Sequence, residues 1–145
     1  MKYDDWSDWS DWSDWTDWVL LSSVDINSIP KGPGVYIIAA EKELSRAVGV
    51  DEHGILDIGE SVTLNFRVRA FISCATGTSQ KGHMAGWRYR NFNFEDVFPL
   101  DTLYVCWKSC KTKEDAYALE GKLLNGYVRQ HYELPPLNYK FNWSE

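Results

Sequence analysis

The sequence predicts a small α/β (α+β) domain, a three-stranded sheet flanked by helices, behind a low-complexity N-terminal tail. Three observations lead there. Three short runs rich in Val, Ile, Tyr and Trp, around Gly34 to Ala40, Ile55 to Ile58 and Leu103 to Trp107, have strand composition and are too short for helices. Two longer segments carry apolar residues at helical spacing, through Leu64, Phe71 and Cys74 and through Ala116, Leu123 and Tyr127. Pro135 and Pro136 cannot continue the second helix, so the chain returns through Asn138 in extended form.

The chain of 145 residues, 44% of them hydrophobic, is the size of one ordinary domain. Its formal charge of -6 is unevenly placed: residues 1 to 18 hold one Lys and six Asp, so the rest carries only -1. A near-neutral body with local basic groups remains. Lys81, Arg88 and Arg90 form one cluster and Lys108, Lys111 and Lys113 another, each fit either for phosphate contact or for a solvated face. Cys74, Cys106 and Cys110 form no paired CxxC pattern, which supports neither a disulfide framework nor a zinc site. The longest apolar run, Val35 to Ala40, is too short to span a bilayer, so the expectation is a soluble, cytoplasmic protein without a membrane partner.

Residues 1–29 read as an acidic Trp-Asp-Ser tail and linker, and residues 30–145 as the domain proper. Within the tail, Trp recurs at 6, 9, 12, 15 and 18. A period of three aligns the rings in polyproline II or 3₁₀ geometry and winds them around an α-helix. Three roles are open to it: a solvated repeat, a surface for a partner protein, or self-docking as a mimic of nucleic acid over the body's own groove. Val19 to Ile29 reads as a short linker or helix, and Pro30 to Pro33 as a break.

The first strand comes after that break, and Glu41 to His53 is a charged connection to the second. Gly59 ends the second strand and Ser61 is a candidate N-cap for the next helix. Spacing from Glu60 places Leu64, Arg67, Phe71 and Cys74 on one helix face, so Arg67 lies between apolar neighbours. Such a guanidinium needs an anion, and phosphate matches its fork well. After a flexible stretch, His83 to Arg90 mixes aromatic and basic side chains, as nucleic-acid surfaces and half-buried helices both do. Thr112 opens the last helix with a capping pattern, and Ala116, Glu120, Leu123 and Tyr127 set a carboxylate in its apolar row. Arg67 and Glu120 meet if both face one sheet, either as a structural salt bridge or as a site.

Gly34-Val35-Tyr36, then Asp57-Ile58-Gly59-Glu60-Ser61, Leu64 to Arg67, Glu120, and Pro135-Pro136-Leu137-Asn138 fall in an order that resembles the GIY-YIG nuclease domain. The match covers about residues 30 to 140. The resemblance implies a mainly antiparallel sheet and a DNA endonuclease that hydrolyses phosphodiester bonds with Mg²⁺ (or Mn²⁺). It implies catalytic roles for Tyr36, which activates or positions water, and Arg67, on the phosphate. Glu120 would hold the metal and Asn138 would give hydrogen-bonding support. Asp57 stands where the second motif normally has tyrosine, and is a candidate second metal carboxylate. His83 is a candidate base or phosphate contact in compensation, and Lys81, Arg88 and Arg90 are candidate DNA contacts. The alternative is a catalytically silent module of the same fold that binds nucleic acid or protein.

Overall fold

The computed structural model describes residues 14–140. Expectations for the earlier Trp-Asp units lie outside the described residues. A mixed α+β fold is observed, with four strands in the main sheet where the sequence predicted three. Gly34–Ala39 (β2) is central, flanked by Ile55–Ser61 (β5) and Tyr104–Ser109 (β6), and Val19–Leu20 (β1) pairs with the outer side of β6. Every pairing is antiparallel. β1 escaped the sequence because two residues, Val19 opposite Val105 and Leu20 opposite Tyr104, are too few to display an alternation.

The connection Glu41 to His53 is also more structured than its composition suggested. Leu44–Ser45 (β3) and Val50–Asp51 (β4) pair as a short hairpin, and buried Asp51 accepts hydrogen bonds from the backbone of His53, Gly54 and Ile55 and from the Tyr127 hydroxyl. Four donors on one buried carboxylate give it a structural purpose. They fix the turn into β5.

All six residues of β2 are buried because both faces of the sheet are covered. Tyr36 and Ile38 face the layer that includes Leu64, Val68 and Phe71 of Leu64–Ala75 (α1) and Ala85 and Tyr89 of Met84–Asn91 (α2). Val35 and Ile37 face Ala116, Leu123, Leu124 and Tyr127 of Lys113–His131 (α3). The predicted rows are therefore core-facing at their apolar members. Gly86 lets α1 and α2 approach, since a Cβ there would lie 2.7 Å from the Phe71 carbonyl oxygen.

Helix starts divide on chemistry. Thr112 caps α3 as expected, its hydroxyl accepting from Asp115 N–H at 3.0 Å. Ser61 does not cap α1: it ends β5, accepts from Thr63 N–H, and Thr63 holds the N-cap position.

Residues 14–29 pack on the body. Trp15 and Trp18 rest against the α3-side core, Leu21 and Ile29 are buried in the other, Thr16 exchanges hydrogen bonds with Trp107, and Lys108 pairs with Asp14 at 3.8 Å. Instead of a helix, Val19 to Ile29 forms β1 and short 3₁₀ turns at Leu21–Ser23 and Ile26–Ser28. The contacts of Asp14, Thr16 and β1 lie along β6, at the opposite side of the sheet from β5, while Ile26–Ser28 packs against α1. No helix among the described residues is long and apolar enough to cross a membrane.

The free side of β5 is met by the C-terminal return. After α3, Leu137 N–H bonds the Leu56 carbonyl, and the Asn138 side chain accepts from Ile58 N–H at 3.0 Å and donates to Ile58 O at 2.9 Å. One amide thus replaces a neighbouring strand at the sheet edge.

Candidate active site

Beside that edge a cleft of about 320 Å³ opens between β5, α1 and α3. Tyr36, Asp57, Arg67, His83, Glu120 and Asn138 all line it, although they come from β2, β5, α1, the turn before α2, α3 and the C-terminal return. Residues singled out far apart in the sequence therefore converge. The Arg67 guanidinium donates from Nη1 to the Gly82 carbonyl at 2.9 Å.

Tyr36 is placed by register. It lies opposite Gly59, and a Cβ on Gly59 would sit 2.3 Å from the Tyr36 hydroxyl oxygen and 2.4 Å from the ring carbon that carries it. Gly59 is there so that the ring can cross the neighbouring strand. Asp57 is on the same face of β5 two pairs along, opposite Ile38. The phenol consequently donates to Asp57 Oδ2 at 2.8 Å.

The third member is His83. Its Nδ1 accepts from Gly86 N–H at 3.2 Å, capping α2, while Nε2 lies 2.8 Å from the Tyr36 hydroxyl. Burial, assisted by the nearby Arg67 charge, lowers its pKa to about 3, so the ring is neutral. A neutral imidazole with Nδ1 as acceptor carries its proton on Nε2. The hydrogen bonds therefore run one way: His83 Nε2–H donates to Tyr36 Oη, and Tyr36 O–H donates to Asp57.

Burial also raises Asp57 to a pKa of about 6, against the opposing effects of the Tyr36 hydrogen bond and Arg67. Tyr36 is pushed well above the ordinary phenol value by burial and then by the Asp57 charge, with Arg67 pulling the other way. The carboxylate is thus the better proton acceptor of this pair. Glu60 is raised as well, by burial, against Lys113 and Arg67.

Among the described residues no cluster of three or more His, Cys, Asp or Glu side chains has the arrangement of a metal cage. A cage is not what Mg²⁺ or Mn²⁺ at a phosphate requires. Mg²⁺ commonly takes one or two carboxylates, substrate oxygens and several waters, and the Glu120 carboxylate in a polar cleft suits that donor set. Asp57, the other candidate metal carboxylate, lines the same cleft and accepts the Tyr36 hydrogen bond at Oδ2.

Of the candidate DNA contacts, Lys81 is exposed beside His83 and borders an adjoining groove. Arg88 is half-buried, reaches the Pro136 carbonyl at 3.4 Å and lies over the Phe92 ring. Arg90 lines a separate cavity with Thr76 and Asn93, its guanidinium against Gly77. The three do not form one patch on the cleft.

Glu60, which the sequence placed in a motif but gave no role, also lines the cleft, as do Tyr117 and Lys140, which the sequence did not single out. Tyr117 was detectable, one helical turn before Glu120. Lys140 lies two residues beyond Asn138, the spacing of one strand face. No protein-family model, curated protein or solved structure matches the chain.

Proposed function

We propose that the chain is a metal-dependent endonuclease that hydrolyses phosphodiester bonds in DNA, with this cleft as its active site. The observation that carries the reading is the convergence of a guanidinium, a carboxylate and a hydrogen-bonded phenol, Arg67, Glu120 and Tyr36, from three elements onto one polar cleft. Phosphodiester hydrolysis needs a cation on the phosphate, an activated water and a proton acceptor. The resemblance to GIY-YIG nucleases in motif order supports the same assignment.

In this reading Arg67 binds the scissile phosphate through its planar fork. Bound Mg²⁺ (or Mn²⁺), held by Glu120, would supply Lewis-acid stabilisation of the phosphoryl oxygens and a more acidic water. Tyr36 Oη takes a proton from the attacking water as its own proton passes to Asp57 Oδ2, and His83 Nε2–H steadies the negative charge that develops on the phenol oxygen. Water oxygen bonds to phosphorus while the bond to the leaving sugar oxygen breaks, and that oxygen takes a proton from solvent. Asp57 thereby does for Tyr36 what an unassisted phenol, with a pKa near 10, cannot do at neutral pH.

Plasmid, branched DNA and single-stranded DNA incubated with the full chain, with and without Mg²⁺ and alongside Glu120→Ala, provide the test. Cleavage that requires the ion and is lost in Glu120→Ala is the expected result. Cleavage unaffected by Glu120→Ala, or none by the full chain on any substrate, overturns the proposal.

One observation favours a second reading. The Tyr36 hydroxyl is engaged by both Asp57 and His83, as it would be in a silent binding module whose former site has become a structural network. DNA binding without cleavage is the signature of that alternative.

A further inference from the structure

We infer that the groove next to the cleft, formed by Gln80, Lys81, Gly82, His83, Met84 and Trp87, seats an unpaired nucleobase of the strand whose phosphate lies at Arg67. The substrate class is then DNA with an unstacked or single-stranded nucleotide at the cut. This inference rests on the nuclease reading above.

The groove is continuous with the cleft, because His83 and Met84 line both. Arg67 ties them together: its Nη1 bonds the carbonyl of Gly82, a groove residue, at 2.9 Å. A phosphate at Arg67 therefore leaves its own nucleotide at the groove entrance. With a volume of about 450 Å³, the groove falls in the range of small-ligand pockets.

Its chemistry suits a base. Helix α2 buries Ala85, Gly86 and Tyr89 on one side yet leaves Met84 and Trp87 45% and 40% exposed on the other. The indole, 40% exposed, is braced by a T-shaped contact with the Phe92 ring, centroids 5.8 Å apart at 76°. Bases stack on aromatic faces whatever their sequence, and a base inside a duplex cannot reach one without leaving its stack. Gln80 offers an amide donor and acceptor for the edge of the base. Exposed Lys81 and half-buried Arg67 flank the groove with positive charge that complements the strand's phosphates.

The test measures binding of a short single-stranded DNA oligonucleotide and of its duplex to the full chain, with Glu120→Ala as the background that prevents cleavage. On that background Trp87→Ala is expected to weaken single-strand binding by about ten-fold, while duplex binding changes little and Trp87→Phe restores much of the loss. Unchanged single-strand binding in Trp87→Ala, with Arg67→Ala weakened, overturns the groove and leaves the nuclease reading standing. Equal losses for single strand and duplex overturn it too, since they report on fold or charge instead of stacking. Binding of neither DNA by the parent overturns both proposals.

Discussion

The Tyr36 hydroxyl stands 2.8 Å from the Asp57 carboxylate on the adjacent antiparallel strand, and this one bond organises the buried side of the cleft. Asp57 is 3% exposed and Tyr36 1% exposed, so neither can replace the other with water at low cost. Tyr36→Phe would deprive the carboxylate of its donor and His83 Nε2–H of its acceptor. A loss of about 1–3 kcal/mol in urea unfolding at neutral pH is expected. At about pH 5, where Asp57 is largely protonated and less in need of a donor, the loss should shrink. An equal loss at both pH values contradicts the assignment.

Two buried groups oppose each other in the pH dependence of stability. His83, held at about 3 by burial against an ordinary 6.5, binds its proton more readily unfolded. Its contribution is full above pH 6.5 and is lost as pH falls toward 3. Asp57, raised by burial to about 6 from 3.8, binds its proton more readily folded, so its contribution is full below 3.8 and is lost as pH rises through 6. Between about pH 4 and 6 the two slopes, each at most ~1.4 kcal/mol per pH unit, largely cancel. Asp57→Asn should unmask the His83 slope, giving a variant that loses stability on acidification faster than the parent. Denaturant midpoints across that window that run parallel in both proteins would refute this.

Gly59→Ala should be far more damaging than an alanine in a strand ordinarily is. The new methyl would meet the Tyr36 ring at 2.3 to 2.5 Å, and the ring is walled in by its own core. Forcing that overlap typically costs about 1–3 kcal/mol and displaces the ring, so nuclease activity should fall with stability. A thermal melt and a cleavage assay on the same preparation check both expectations. Retention of parental values in each would show that Tyr36 moves freely.

Asn138→Ala removes the two bonds that close the β5 edge at Ile58. The expected cost is about 1–3 kcal/mol, accompanied by faster hydrogen exchange at the Ile58 amide while the Ile37 amide, deeper in the sheet, keeps its protection. Unaltered exchange at Ile58 would mean that another group closes the edge.

Helical periodicity made Arg67 and Glu120 legible, because a charge in an apolar row has only one direction to point. Tyr36 and Asn138 were legible from motif order. What escaped the sequence depends on register or on distant partners. Tyr36 opposite Gly59 and Asp57 two pairs along result from how β2 and β5 align, which neither strand specifies alone. His83 acquires its proton arrangement from capping α2, a segment whose composition suited a nucleic-acid surface and a half-buried helix equally. β1, β3 and β4 are two residues each, too short for alternation to emerge. The Trp87 groove depends on which side of α2 meets α1, and only packing decides that.

The most direct measurement is the single-turnover rate of Mg²⁺-dependent DNA cleavage by the full chain and by Arg67→Ala, each first compared by circular dichroism and thermal melting. Arg67 is half-buried and makes its bond to a carbonyl, so the variant should fold as the parent does. If Arg67 carries the phosphate charge, the variant should cut roughly 10²- to 10³-fold more slowly while the ion requirement persists. A folded variant that cuts at the parental rate would contradict the assignment of this cleft to phosphodiester hydrolysis.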